Sequence, residues 1–250
     1  MADAAVPILN FDQIDSTNAE ARRRAEAGEA GPLWITAGRQ TAGRGRRGRE
    51  WSTEPGNLAA TLLTATGRPP AEAAQLAFVA ALAAADLCDA YVPPALVRIK
   101  WPNDIQIAGA KVCGVLIESG ALPDGRLWLA VGCGVNLASA TANTPYPATS
   151  LAAHLGPGVS EPPAPAEAMA VFAAAFGKWV RTWEAKGFAP IGAAWTARAA
   201  GLGGACVARL GAETVEGVAE GIEADGALRL RVRSGEIRRI TAGDVFFEAV

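Results

Sequence analysis

Cysteine, histidine and an excess of either charge are scarce in this 250-residue sequence. Its four cysteines, Cys88, Cys113, Cys133 and Cys206, include no closely spaced pair, which excludes a disulfide framework and a cysteine-built zinc site. The one histidine, His154, has no partner of its kind and reads as structural. The 23 Lys+Arg nearly balance the 25 Asp+Glu. That argues against a general nucleic-acid or membrane-surface binder, while leaving room for a local basic cluster. Long hydrophobic runs are missing as well: Leu76 to Ala85 stops at Asp86, too short to span a bilayer. The start, Met1-Ala2-Asp3-Ala4-Ala5, lacks the basic opening and long apolar core of a signal peptide. With 50% hydrophobic residues the chain can bury the core of one large domain or two modest ones. The expectation is a soluble, cytoplasmic, globular protein.

Val6 to Phe11 reads as a first strand. Thr17 and Glu20 stand at capping-box spacing before a helix over Ala19 to Ala27, which Gly28 and Gly31-Pro32 end. Leu33 to Ala37 and Leu58 to Leu63 read as buried strands. Pro70 to Leu87 is an Ala-rich helix, and Val97 to Lys100, Ile105 to Ala108, Val112 to Ile117 and Leu127 to Val135 are strands. The last two are continuously apolar, which predicts cover on both faces. After Glu161-Pro162-Pro163 comes an amphipathic helix whose buried stripe is Met169, Phe172, Phe176, Trp179, Val180 and Trp183. Beyond Gly201-Leu202-Gly203-Gly204 the pattern turns to short alternating runs, and Asp225-Gly226 signals a hairpin with a type I′ turn. The chain therefore divides into an α/β domain, residues 1–200, and a small β-barrel, residues 201–250.

Between the second and third strands lies Gly38 to Asn57, almost without aliphatic residues. A loop of that length in a compact domain is more often functional than not. Its centre runs Gly43-Arg44-Gly45-Arg46-Arg47-Gly48-Arg49-Glu50-Trp51. Glycines let backbone N–H groups approach an anion, arginines add fixed charged forks, and Trp51 offers a face for a purine. The run fits a lid over a nucleotide or an acyl-adenylate; a solvated tail or a nucleic-acid contact is the alternative. Lys100-Trp101-Pro102-Asn103-Asp104 leaves a strand end, either as an ordinary turn or as a ligand-binding one. Lys111 opens the apolar strand Val112-Cys113-Gly114-Val115-Leu116-Ile117-Glu118, at the rim of a sheet, where it is either solvated or placed to neutralise a carboxylate or an α-phosphate. Gly132-Cys133-Gly134-Val135-Asn136 closes another strand on an amide that caps a turn or reads an adenine edge.

These pieces, in this order, resemble the biotin–protein ligases: Ser16-Thr17-Asn18, the loop from Gln40 to Trp51, Lys100 to Asp104, Lys111 to Glu118 and Gly132 to Asn136. The resemblance implies an α+β fold, a central mixed β-sheet flanked by helices as in class II aminoacyl-tRNA synthetases and biotin ligases, with a small C-terminal SH3-like β-barrel. It implies activation of biotin by ATP and Mg²⁺ to biotinyl-5′-adenylate, then transfer to one lysine of a biotin carboxyl carrier protein, with no tightly bound metal. It places Ser16, Thr17, Asn18, Gln40, Gly43, Arg44, Gly45, Arg46, Lys111, Gly114 and Leu116 around biotin. Arg46, Arg47, Arg49, Trp51, Lys100, Asn103, Lys111 and Asn136 fall on the ATP side. Lys111, Arg46 and Asp104 are the implied catalytic residues.

Many bacterial members carry an N-terminal helix-turn-helix domain. The residues ahead of Ser16 are too few for one, so a monofunctional ligase without DNA binding is expected; homodimerisation stays open. The rival enzyme of the same fold is a lipoate– or octanoate–protein ligase or transferase, against which the arginine-rich loop and the barrel weigh. A nucleic-acid-binding module is disfavoured by the balanced charge and by the few aromatics near the arginines.

Overall fold

The computed structural model describes residues 6–141, 144, 146–211 and 213–247. The Met1–Ala5 start and residues 248–250 of the expected barrel lie outside them. The chain folds as β1 (Ile8–Ile14), α1 (Thr17–Glu26), β2 (Leu33–Gln40), β3 (Leu58–Thr66), α2 (Pro70–Ala73), α3 (Leu76–Asp89), β4 (Val97–Lys100), β5 (Asp104–Ile107), β6 (Ala110–Ala121) and β7 (Leu127–Val135). Two helices follow, α4 (Pro165–Lys186) and α5 (Phe188–Ala197). Five strands end the chain: β8 (Ala205–Arg209), β9 (Thr214–Ile222), β10 (Leu228–Arg231), β11 (Ile237–Ile240) and β12 (Asp244–Phe247).

The seven-stranded sheet runs β1-β2-β3-β7-β6-β5-β4. It is mixed because α1 carries the chain across to a parallel β1–β2 pair, while the other pairs are antiparallel. Strand alternation sends Ile35, Leu63 and Ala130 to one face, under Ala21 and Ala25 of α1. Trp34, Leu62, Leu129 and Val131 go to the other, under α3, α4 and α5. The segment Pro70–Asp89 is long and apolar enough by composition to cross a bilayer, but it is 72% buried inside the protein. Its alanines let it sit in the core, wedged between α4 and the sheet.

Several expectations shift. Ser16, not Thr17, caps α1: its side chain accepts from the Ala19 N–H (3.4 Å), and Glu20 pairs with Arg23 and Arg24 rather than closing a capping box. Trp179 and Val180 are only half-buried, unlike the rest of the α4 stripe. The Trp179 indole N–H instead donates to Asp86 Oδ2 (2.7 Å). Strand β7 is covered almost throughout, but β6 is not, because Gly114 and Leu116 face an open cavity. The β9–β10 hairpin forms around Asp225-Gly226, yet only Gly226 carries a positive φ (91°), so the turn is not type I′. Helix α5, which the sequence pattern does not predict, starts after Gly187, whose φ of 71° ends α4 in a conformation glycine adopts freely.

The last five strands form a small antiparallel SH3-like unit ordered β11-β10-β9-β8-β12. It is anchored on the first sheet by the buried Trp101, whose indole N–H donates to Gly226 O (3.0 Å).

Candidate active site

One cavity gathers residues from α1, β2, the loop between β2 and β3, β5, β6, β7 and β12. Its floor is made of glycine. On β6 and β7, Gly114, Gly132 and Gly134 leave room that side chains from elsewhere fill. A Cβ at Gly134 would collide with the Trp51 indole, one at Gly132 with Asn18 Oδ1, and one at Gly114 would press on Lys111 (3.1 Å to Nζ).

At one end lies a polar nest. Ser16, the cap of α1, and Thr17 and Asn18, its first two residues, are all buried. Gln40 Oε1 accepts from the Thr17 backbone N–H (2.8 Å), and Gln40 Nε2 donates to Thr53 Oγ1 (3.0 Å). Thr61 of β3, wholly buried, has its Oγ1 2.8 Å from Thr17 Oγ1 and 2.7 Å from Asn18 Oδ1. Asn18 Nδ2 donates to Glu118 Oε2 (2.9 Å), and so does Arg44 (3.2 Å).

The other end is cationic. Lys111 Nζ lies 2.7 Å from Asp104 Oδ1, with its side chain 15% exposed, and 5.6 and 5.2 Å from the Trp51 and Tyr146 ring centroids. Arg46 donates to Asn103 Oδ1 (3.1 Å) and to Gly243 O (3.1 Å). Asn103 in turn donates to Val115 O. Burial lowers the Arg46 pKa, against the opposing pull of Asp104 and Asp244. A guanidinium nonetheless stays charged at neutral pH, so Arg46 is a permanent and poorly hydrated cation. A poorly hydrated cation favours an incoming anion.

The arginine loop is folded into a narrow flap. Trp51 N–H donates to Gly43 O (3.0 Å), Gly45 N–H to Arg49 O (2.7 Å), and one tight turn spans Arg46–Gly48. Gly43 is required there because a Cβ would strike Trp51 O.

Not every expected residue reaches the cavity. Gly43, Arg47, Lys100 and Asn136 do not line it. Gly43 shapes the flap from behind. Arg47 turns outward to Asp244 Oδ2 (3.0 Å), and Arg49, though lining the cavity, also pairs with Asp244. Burial lowers the Lys100 pKa, and its ammonium lies 5.4 Å from the Phe246 ring centroid. Asn136 is a structural clip: its Nδ2 donates to Thr149 O (3.0 Å), and its carbonyl accepts from Leu151 N–H (2.9 Å). The remaining expected residues, Ser16, Thr17, Asn18, Gln40, Arg44, Gly45, Arg46, Arg49, Trp51, Asn103, Asp104, Lys111, Gly114 and Leu116, are brought together.

Sequence reasoning gave no role to Thr61, Glu118, Gly132, Gly134, Tyr146 or Asp244. The alternate glycines of Gly132-Cys133-Gly134, on one face of a strand, were a readable signal, as was Thr61, the one polar residue between Leu58 and Leu63 in β3. Tyr146 and Asp244 carried none, because only the tertiary fold brings them in.

Comparison with known proteins bears on this arrangement. The profile described as the biotin/lipoate A/B protein ligase family matches residues 10–136, and that of the biotin protein ligase C-terminal domain matches residues 201–248. The chain is 45% identical over 241 residues to a biotin–[acetyl-CoA-carboxylase] ligase of Paracoccus denitrificans, covering 94% of this chain and 98% of that one. It is 32% identical to a biotin–[acetyl-CoA-carboxylase] ligase of Mycobacterium tuberculosis, over 93% and 86% of the two chains. A biotin protein ligase from Aquifex aeolicus, solved in complex with biotin and ATP, shares the fold with a TM-score of 0.76 and 24% identity, over 98% of this chain and 99% of that one.

Proposed function

The chain belongs to the biotin/lipoate A/B protein ligase family, and from that premise we infer that it is an ATP-dependent biotin–protein ligase whose two half-reactions share the cavity described above. One observation carries the assignment of residues: Arg44, Arg46 and Lys111 line the same cavity as the Ser16-Thr17-Gln40 nest. A cationic end beside a neutral polar one suits a substrate with an uncharged head and a carboxylate tail that must meet a triphosphate.

In the first half-reaction a biotin carboxylate oxygen attacks the α-phosphorus of ATP, and the bond to the β-phosphate oxygen breaks to release pyrophosphate. Two anions approach each other, so the barrier is largely electrostatic. Lys111 and Arg46 offset it, and their charge counts for more in a poorly hydrated site walled by Trp51 and Tyr146. Asp104 holds the Lys111 ammonium until the phosphate arrives. The product is a mixed anhydride, already activated toward an amine, so no Ser–His or Cys–His nucleophile is needed. In the second half-reaction the neutral acceptor amine attacks the acyl carbon, the bond from that carbon to the AMP phosphate oxygen breaks, and the amine's proton passes to the departing AMP or to solvent. Trp51 and the flap over the cavity keep water from taking the amine's place. Among the described residues no three His, Cys, Asp or Glu side chains cluster as a metal site. Magnesium is read as entering with the nucleotide substrate.

The acceptor is read as the biotin carboxyl carrier domain of a carboxylase, in keeping with the Paracoccus relative. Strand β5 pairs with β6 only as far as Gly114. Val115 N–H donates to Asn103 O on the β5 side, so by strand alternation Ile117 and Ser119 point outward N–H and C=O groups that no strand pairs with among the described residues. That free edge lies beside a groove leading to Asn103 and Arg46, which suits an extended carrier segment. Ser119→Pro should slow transfer to the carrier and leave adenylate formation intact; equal transfer rates would rule this docking mode out.

Mass spectrometry of the wild-type protein mixed with Mg–ATP and biotin tests the activity itself. Biotinyl-5′-adenylate and pyrophosphate are expected, and lipoate or octanoate should give no adenylate. Adenylate from lipoate but not from biotin would reverse the assignment.

A further inference from the structure

We propose that Glu118 and Thr61 are positioning residues, which orient the polar nest through a connected run of hydrogen bonds that starts and ends on the segment carrying the arginine flap. The proposal rests on the biotin–ligase reading for its substrate, but the chain itself follows from proton accounting.

An ionised carboxylate only accepts. Glu118 Oε2 takes bonds from Arg44 (3.2 Å) and Asn18 Nδ2 (2.9 Å), and the second Nδ2 proton points to Leu116 O (3.5 Å). The Asn18 amide is thereby fixed, with its oxygen toward Thr61. Gly132 leaves the space that oxygen occupies, since a Cβ there would collide with it. A hydroxyl has one proton, and Thr61 Oγ1 sits between Asn18 Oδ1 (2.7 Å) and Thr17 Oγ1 (2.8 Å). Asn18 Oδ1 cannot donate, so the Thr61 proton goes to it. Thr17 must then donate to Thr61. Its hydroxyl is consequently no donor to Gln40 Oε1, which lies farther off (3.2 Å) and is held by the Thr17 backbone N–H instead (2.8 Å). That leaves Gln40 Nε2 to donate to Thr53 Oγ1 (3.0 Å).

One negative charge on β6 thus sets the direction of the bonds from Arg44 through Asn18 and Thr61 to the Thr17 hydroxyl, and the Thr17 backbone N–H carries the link on to Gln40 and Thr53. Arg44 and Thr53 both belong to the segment joining β2 and β3. The chain ties both shoulders of the flap to the nest, so the orientation of the head-group donors and the seating of the flap depend on the same two residues. Neither Glu118 nor Thr61 needs to touch substrate to do this.

Three variants test the idea: Thr61→Val, which keeps shape and removes the hydroxyl; Thr61→Ser, which restores it; and Glu118→Gln, which removes the charge. Pyrophosphate exchange gives KM for biotin and ATP separately, and hydrogen exchange of the apo protein reads the flap amides of Gly45 and Trp51. Thr61→Val and Glu118→Gln are each expected to raise the biotin KM roughly tenfold, as for one lost buried hydrogen bond, with a distinctly smaller rise in the ATP KM because the loosened flap carries Trp51. The flap amides should exchange faster, the double variant should be little worse than either single one because both break one chain, and Thr61→Ser should behave as wild type. Unchanged biotin KM, equal shifts in both KM values, or independent multiplying effects would overturn the proposal. If the wild-type protein makes no biotinyl-adenylate, the functional reading fails. Flap exchange in the apo variants still decides the chain: faster exchange supports it and unchanged exchange overturns it.

Discussion

Lys111 is constrained from every side before any substrate arrives. Its N–H donates to Pro147 O (2.8 Å), its carbonyl accepts from Thr149 N–H (2.8 Å), and Asp104 and two aromatic rings hold the ammonium. A charge fixed this way requires little reorganisation when a phosphate takes the place of the carboxylate, which is the condition for electrostatic catalysis to be effective. Lys111→Ala should therefore reduce the rate of adenylate formation by a factor on the order of 10² to 10³. Single-turnover kinetics with radiolabelled ATP would measure it, and a near-wild-type rate would remove Lys111 from the chemistry. At this scale the sequence was informative, because one lysine opening an apolar strand has to sit at a sheet rim. Tyr146 was not legible: it reaches Lys111 only because the segment after β7 folds back along β6.

At the scale of elements, the cavity exists because two adjacent strands give up side chains at alternate positions. Gly114 and Gly134 are register partners on β6 and β7, and the Trp51 ring lies across them. In Gly134→Ala the added methyl overlaps that ring, so the indole and the flap that carries it must lift. Overpacking of this kind typically costs about 1–3 kcal/mol. Denaturant unfolding should show a loss of that order with an unchanged slope, and the KM for ATP should rise. A variant with wild-type stability and KM would mean that Trp51 does not seat on the strands. The same strands show where periodicity succeeds and where it stops. The α4 aromatic stripe and most strand positions follow from spacing alone, since burial on one side leaves a regular pattern. Strand β6 looked covered on both faces because an apolar face lining a substrate cavity reads the same as one packed on protein. The α1 cap fell one residue off because Thr17, a good cap by composition, is drawn inward to Thr61 (2.8 Å).

Across the whole molecule, the flap is held by a residue from the other end of the chain. Asp244 opens β12 and pairs with both Arg47 (3.0 Å) and Arg49, while Arg46 donates to the neighbouring Gly243 O (3.1 Å). Arg47 stands at φ 56°, a left-handed backbone unusual for a residue with a side chain, so the pairing with Asp244 also holds a strained turn. The C-terminal unit is in this way part of the active site, through a latch made of partly exposed charges. Each such pair is worth about 0.2–1 kcal/mol and is screened by salt. Asp244→Asn should accordingly raise the ATP KM a few-fold and release more adenylate into solution, and added salt should weaken the wild type while scarcely changing the variant. The pH dependence has a definite sign. Burial alone would raise the Asp244 pKa, but Arg49 and Arg47 outweigh it and hold it below the ordinary aspartate value. A carboxylate depressed in the folded state contributes in full above the unfolded value of about 3.9 and is lost as the pH falls through the lower folded one. Between pH 5 and 8 the difference between wild type and Asp244→Asn should therefore be constant, and it should close only in acid below about pH 4. Flap exchange measured across that range would follow it. A difference that changed near neutrality, or no difference at all, would show that the flap is held by the catalytic unit alone.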